Sequence, residues 1–418
     1  MLVRAMIELF RHISGKGESV HLNLDRCEGP IDVIIQAAMA LQAISSITID
    51  CPNSDEVSSI ISAICWGVKC NPRLTRVQLN DMRMCREQAE ALSDGLKAAD
   101  ISHFKSLGMA FVSFADDSTF SELVSGLCEN SSLDELMVSC CDIKDTQIFE
   151  LFDVIESHVS IKKLTFTRAE SNSSTEGTAR ALAKLLAKSK LQHLLLTDLE
   201  AADRYGFSGL SSIMGIIAEG LKGNQHLEEL NLAFNSLDDE DLRQLTKILW
   251  SCPRLKHLDL SCNDISGKGL EIFASQRPSF LRQLELGNSL NLLPKLLQRN
   301  PLLVEISNDE DMELRPEVMH WMDFNRSGRI LLGQGDTAPI SLWPVVLARA
   351  NNLFREYHQV TDEPRRRRAN AIFHLLREDP ALLQRRVLDI RKKKPILDES
   401  GSQMKMRLRK RRKISYRV

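Results

Sequence analysis

The chain has 418 residues, with 54 Lys and Arg against 56 Asp and Glu, a formal net charge of −2. Taken as one number, that balance points away from polyanions, anionic membranes and strongly charged substrates. The apolar fraction of 43% supports a large core, no window approaches the roughly 18–20 uninterrupted apolar residues of a spanning helix, and length alone favours about two to three domains.

The opening stretch, MLVRAMIELFRHISGKG, sets Arg4, Glu8 and Arg11 among its apolar residues. It has neither the long apolar run nor the small-residue cleavage site of a secretory signal. The ten Cys, at 27, 51, 65, 70, 85, 128, 140, 141, 252 and 262, form no CxxC pair and no zinc-spaced Cys–His cluster. Most sit among apolar neighbours and are read as reduced core thiols. These features predict a monomeric intracellular protein without a transmembrane segment, cytoplasmic, nuclear or both.

From residue 20 a short pattern recurs. VHLNL (20–24) is a truncated copy. It is followed by ISSITI at Ile44, LTRVQL at Leu74, FKSLGM at Phe104, LDELMV at Leu133, IKKLTF at Ile161 and LQHLLL at Leu191. LEELNLAFN (227–235) and LKHLDLSCN (255–263) are the clearest copies, then LRQLEL at Leu281 and LVEI at Leu303. From Ile44 the steps are 30, 30, 29, 28, 30, 36, 28, 26 and 22 residues, with an insertion near TDLEAADRYGFSG (197–209) in the longest. Apolar residues two apart inside each copy predict a short strand. Helical stretches follow, at EQAEALSDGLKAA (87–99), ELVSGLCEN (122–130), ARALAKLLAKS (179–189) and EDLRQLTKILWSC (240–252). In the last, Leu242, Leu245 and Leu249 share a face.

A strand and a helix repeating about every 29 residues resembles the ribonuclease-inhibitor-like subclass of leucine-rich repeats. The resemblance covers roughly 20–306. It implies an α/β solenoid, a horseshoe with parallel strands on the concave face and helices on the convex one. The predicted organisation is an array of ten to eleven repeats over 1–306, a helical cap over 307–390 and a basic, disordered tail over 391–418. Asn235 and Asn263 are expected to bond backbone groups of neighbouring turns, and Cys27 and Cys141 occupy that same repeat site.

Strand side chains alternate, so residues between the leucines line the concave face. The strip runs His21, Asn23, Arg76, Gln78, Glu135, Lys163, Thr165, His193, Glu229, Asn231, His257, Asp259, Gln283, Glu285 and Glu305, and turns acidic from Glu229. Such a face usually holds a protein partner in this family. The partner-binding set is read as Glu135, His193, Glu229, Asn231, Phe234, His257, Asp259, Gln283 and Glu285, with Cys262 a further contact point.

Motifs for chemistry are missing. There is no Walker loop, GxSxG elbow, HExxH or glycine fingerprint, and SGKGE (14–18) lacks phosphate-loop spacing. No catalytic residue, cofactor or metal is predicted. DFNRSGRILLGQ (323–334) has calcium-loop spacing, but Gln334 stands where a bidentate carboxylate belongs. A helix stop is the simpler reading.

Past residue 307 the repeat stops. Three helical pieces, LRPEVMHWMDF, SLWPVVLARANNLFREY and RRRANAIFHLLREDPALLQRRVLDI, place Trp321, Trp343, Phe354, Phe373 and Leu376 to cover the last repeat. From Arg355 to Val418 there are 20 Lys/Arg against 8 Asp/Glu, net +12, leaving −14 on residues 1–354. The basic clusters are Arg365, Arg366, Arg367 and Arg368; then Lys392, Lys393 and Lys394; then Arg409, Lys410, Arg411, Arg412 and Lys413. They suit an import receptor or a polyanion. The overall expectation is a non-enzymatic scaffold that binds an unidentified protein on its concave face. The resemblance also implies two alternatives: a Ran-type GTPase-activating protein, whose arginine has no motif match here and whose tail is acidic rather than basic, and a substrate receptor of a ubiquitin ligase.

Overall fold

The computed structural model describes residues 2–17, 20–25, 31–50, 54–98, 102–168, 175–197, 210–249, 251–275, 280–286, 293–307 and 316–326. They belong to a compact unit spanning Met1–Ile330; a second unit, Leu331–Val418, lies outside the described residues. Helix and strand alternate: α1 (Leu2–Gly15), β1 (Val20–Asp25), α2 (Ile31–Ala40), β2 (Ile44–Asp50), α3 (Ser54–Cys70), β3 (Arg76–Asn80), β4 (Arg83–Met84) and α4 (Arg86–Lys97). Next come β5 (Ser106–Ala110), β6 (Ser113–Phe114), α5 (Asp117–Glu129), β7 (Glu135–Cys141), α6 (Asp145–Ser157), β8 (Lys163–Arg168), α7 (Thr175–Lys188) and β9 (His193–Thr197). The order closes with α8 (Leu210–Leu221), β10 (Glu229–Asn231), α9 (Asp239–Leu249), β11 (His257–Leu260), α10 (Gly267–Ser275), β12 (Gln283–Leu286), α11 (Leu293–Arg299), β13 (Glu305–Ser307) and α12 (Pro316–Arg326).

Eleven of these strands form one parallel sheet in chain order, β1-β2-β3-β5-β7-β8-β9-β10-β11-β12-β13. Each is one of the repeated copies. The first apolar residue of every copy from Ile44 to Leu303 is at most 2% exposed, so each coil puts its leading side chain into a shared interior. A parallel sheet needs a crossover between neighbours, and the helix of each repeat supplies it. Consecutive helices pack on one another, and two contacts admit no side chain. A Cβ on Gly126 of α5 would lie 2.6 Å from Cα of Ser93 in α4, and one on Gly220 of α8 would lie 2.5 Å from Cα of Ala183 in α7.

Bending the chain twice per repeat buries backbone groups that must find partners. On the side leaving the strand, Asn235 Nδ2 donates to Leu196 O (2.7 Å) and Asn263 Nδ2 to Leu232 O (2.9 Å). Asn263 Oδ1 also accepts from the backbone N–H of Asn235 and Leu237. Cys141 holds the same place, its thiol 3.6 Å from Met109 O. Burial pushes that thiol up to about 11, so it stays protonated and able to donate. Cys27 lies outside the described residues.

A second ladder, which the repeat pattern did not reveal, runs along the side entering the strand. Asn71 donates to Ile44 O, Asn130 to Leu96 O (2.8 Å) and Asn224 to Leu186 O (2.5 Å). Asn130 Oδ1 and Asn224 Oδ1 each accept two backbone N–H groups of the turn ahead. His158 and Cys252 take the same position, reaching Leu127 O (3.1 Å) and Leu221 O (3.1 Å). Asn325, at the end of α12, donates to the carbonyls of Leu297, Asn300 and Leu303.

That last set changes the reading of the chain beyond 307. Helix α12 packs on α11 with Val318, Trp321 and Met322 buried, and its terminal asparagine caps the preceding turn as Asn130 and Asn224 do. The first piece of the expected cap thus docks as the helix that follows β13, the last of the repeated strands. Of the calcium-spaced stretch DFNRSGRILLGQ, residues 327–334 lie outside the described residues. Trp343, Phe354, Phe373, Leu376 and the two later helical pieces lie outside the described residues.

His158 makes the ladder sensitive to pH. Desolvation holds its pKa below the ordinary 6.5, against the opposing pull of the Leu127 and Asn130 carbonyls. The unfolded chain then takes up a proton at a pH where the folded chain does not, so stability falls as pH drops below about 6.5. Urea denaturation of His158→Asn, which restores the residue found at 130 and 224, is expected to remove this part of the pH dependence. An unchanged slope of stability against pH would show that His158 contributes none of it.

Candidate functional site

The leucines of each strand face the helices, so the alternate residues form rows on the opposite, helix-free face, the one expected to be concave. Register fixes the rows. One runs His21, Ser46, Arg76, Ser106, Glu135, Lys163, His193, Glu229, His257, Gln283, Glu305. The other runs Asn23, Thr48, Gln78, Gly108, Met137, Thr165, Leu195, Asn231, Asp259, Glu285. Every strand residue of the predicted partner-binding set is on this face; those from His193 to Glu285 adjoin one another, and Glu135 is set apart from them by Lys163.

Charge behaves differently around β7 and from β9 onward. Around β7, Glu135 is held from both sides: Arg76 Nη2 at 2.7 Å, Lys163 Nζ at 2.9 Å and Ser106 Oγ at 3.0 Å. Burial pushes its pKa up, but the bonds from Lys163 and Ser106 and the charges of Lys163 and Arg76 together outweigh that and hold it below 4.5. Glu135 is therefore a neutralised group, an internal tie between β3, β7 and β8.

From β9 onward no Lys or Arg stands in either row. His193 Nδ1 lies 2.8 Å from Glu229 Oε2. His257 stands between two carboxylates, Nε2 at 2.9 Å from Glu285 Oε1 and Nδ1 at 3.7 Å from Glu229 Oε1. A neutral imidazole has one N–H and can donate to one of the two; the protonated ring donates to both. Gln283 Nε2 reaches Glu285 at 3.2 Å. Glu229 and Glu285 keep about a third of their side-chain surface exposed, and Glu305 is exposed.

Asp259 is different. It is only 7% exposed, accepting from Asn231 Nδ2 (2.6 Å) and from the N–H and hydroxyl of Ser261. Asn231 in turn accepts from the N–H of Ala233. These two hold the turn after their strands and present little to a ligand. Among the described residues no group of three or more His, Cys, Asp or Glu is arranged to hold a metal ion. The basic clusters at 365–368, 392–394 and 409–413 lie outside the described residues.

Phe234 is 57% exposed just past β10, in a left-handed conformation (φ 57°). Asp81, Phe111, Cys140 and Cys262 have the same conformation, and all five lie seven residues after the first apolar residue of their repeat. The left-handed residue lies at or just past the end of its strand, or one residue before it in β7, and turns the next side chain inward. Phe111, which sequence reasoning passed over, is 63% exposed. Its signal was its repeat equivalence to Phe234. Sequence reasoning also passed over Met137 and Leu195, half-buried between fully buried neighbours on the helix-free face.

Glu135 offers a direct check of the tie. A depressed carboxylate adds stability above its unfolded pKa, and that contribution disappears as pH falls through the folded value. Glu135→Gln is expected to lower stability at neutral pH. Its deficit relative to the unmodified chain should close once pH is taken well below 4.5. A constant deficit across that range, by urea denaturation, would mean the charge is not what matters.

The Leucine Rich repeat family model matches residues 223–245 and 251–274. Protein NLRC5 of Mus musculus is 29% identical over 145 residues, which are 34% of this chain and 7% of that protein, so the chain spans a small part of its relative's length. Among solved structures, the actin-binding site 2 of leiomodin-1 aligns over 37% of this chain and 92% of its own, with 18% identity and a TM-score of 0.31. The TLR13–ssRNA13 complex aligns over 72% of this chain and 38% of its own, with 15% identity and a TM-score of 0.37. The two matched segments are leucine-rich repeats and contain the clearest copies of the unit that recurs along the parallel sheet.

Proposed function

We propose that the chain is a non-enzymatic protein-interaction scaffold that holds a protein partner on the helix-free, concave face of its array. One observation carries this reading: the face bears partly exposed carboxylates, Glu229 and Glu285, whose partners across it are His and Gln side chains rather than Lys or Arg. The leucines, both ladders and the Glu135 tie account for the fold. Glu229, Glu285, Glu305 and Phe234 remain available on adjoining strands and their rim. Ligand-binding residues are commonly carried on surfaces that a rigid scaffold positions. Among the described residues no helix is long and apolar enough to cross a membrane.

The test is charge reversal on the full chain. Glu229→Lys, Glu285→Lys and Glu305→Lys are combined, and Asp259 is left alone because a buried lysine there would disturb the fold. Glu219→Lys on α8, also exposed, is the control on the helix face. Quantitative affinity capture is expected to lose a defined set of proteins at least tenfold in the triple variant and to keep it in the control, with matched circular dichroism and melting. Equal capture by all three chains would remove the concave-face assignment.

The basic segment 391–418 is proposed to serve nuclear import or polyanion contact, on the strength of its clustered Lys and Arg. Removing it is expected to shift the chain toward the cytoplasm or to abolish its salt-sensitive retention on heparin. If neither location nor retention changes, the segment does neither job.

A further inference from the structure

The rows of the helix-free face change chemistry along the sheet, and the change is abrupt. In the middle of the second row, on β5, β7, β8 and β9, stand Gly108, Met137, Thr165 and Leu195 in consecutive register. None is charged. Gly108 leaves a notch that the Gln78 side chain occupies: a Cβ there would lie 1.7 Å from Gln78 Oε1. Gln78 is itself tied back to Asn80 (2.8 Å). Phe111 stands exposed at the end of β5. Strands lie about 4.8 Å apart, so this weakly polar strip is roughly 15 Å wide.

Beside the strip, on β3, β7 and β8, the only charges in the first row are those of the closed Arg76–Glu135–Lys163 tie. On its far side come Glu229 and Glu285, with histidine and amide donors instead of Lys or Arg. Net negative charge thus begins at the strand next to Leu195, since Leu195 pairs with Asn231 and His193 with Glu229.

Building on the scaffold reading, we infer that the partner presents a basic amphipathic segment. It lies across the strands with an aliphatic or aromatic anchor on the Met137–Leu195 strip and Lys or Arg over Glu229 and Glu285. Charge complementarity selects this occupant. An acidic segment or a nucleic acid would bring like charge to carboxylates that have no Lys or Arg beside them in either row. Geometry sets the spacing. The centre of the strip lies about 22 Å from the Glu285 strand, which a helix covers in roughly 14 residues.

Defined peptides test this on the full chain by fluorescence anisotropy. The probe is a 20-residue helix-forming peptide with two Leu near one end and three Arg from about ten residues further on, made in both sequence orders. One comparison peptide replaces Leu by Ser and another replaces Arg by Glu. At least one order of the probe is expected to bind tenfold or more tighter than both comparisons. Met137→Ser with Leu195→Ser should weaken the probe about tenfold and leave the Ser peptide unchanged. Glu229→Gln with Glu285→Gln should weaken both Arg-bearing peptides and flatten their salt dependence. Equal binding of the probe and the Ser peptide would overturn the anchor and with it the proposal, as would failure of every peptide to bind. The peptide comparison needs no variant, so it stands even if the serine pair disturbs folding. A face that loses proteins on charge reversal yet ignores the probe binds a partner of other chemistry. Loss of neither defeats the scaffold reading as well.

Discussion

Everything in this array depends on hydrogen-bonding a backbone that bends inside its own core. A coil of about 29 residues changes direction as it enters and leaves each strand, and both bends are covered by the next coil. Buried N–H and C=O groups left unpaired would cost about 1–3 kcal/mol each, repeated along eleven strands. Two columns of side chains prevent that. Asn235, Asn263 and Cys141 serve the exit; Asn71, Asn130, His158, Asn224, Cys252 and Asn325 serve the entry. Because each bond reaches the preceding coil, the columns also set the register, and register is what lines up the rows on the opposite face.

This explains what could be read in advance. Strands β1–β3, β5 and β7–β13 were legible because LxxLxL puts three apolar residues where burial demands them. The exit column was legible where the residue was Asn, and at Cys141 by repeat position. The entry column was not. Asn, His and Cys share no hydropathy or size, only a side-chain donor placed three residues before the leading apolar position. Helix α12 was visible as a helix, but its place as the helix that follows β13 depended on Asn325, which looks like a loop residue in DFNRSG.

The candidate surface was half legible for a related reason. Polar residues between leucines announce an outward face, and His193, Glu229, His257 and Glu285 were read correctly in position. In LQHLLL and LDELMV the outward Leu195 and Met137 look the same as core residues. Only strand alternation, seen in the burial of Leu194, Leu196, Leu136 and Val138, separates them. Sequence also could not distinguish two kinds of carboxylate. Glu135 and Glu229 occupy the same row, yet the first is closed by Arg76 and Lys163 while the second has only imidazoles beside it.

The rim joins the fold to the surface. Its five left-handed residues adopt a conformation that costs a non-glycine residue roughly 1–2 kcal/mol, and the turn requires it whatever the side chain. Glycine would relieve that cost, yet the positions hold Asp81, Phe111, Cys140, Phe234 and Cys262. Exposed as they are, Phe111 and Phe234 recover only part of the transfer free energy that full burial of an aromatic would give. Backbone geometry is thus shared by these five coils while the outward side chain varies. At this position the solenoid can change the side chain it exposes without disturbing the ladder bonds beneath.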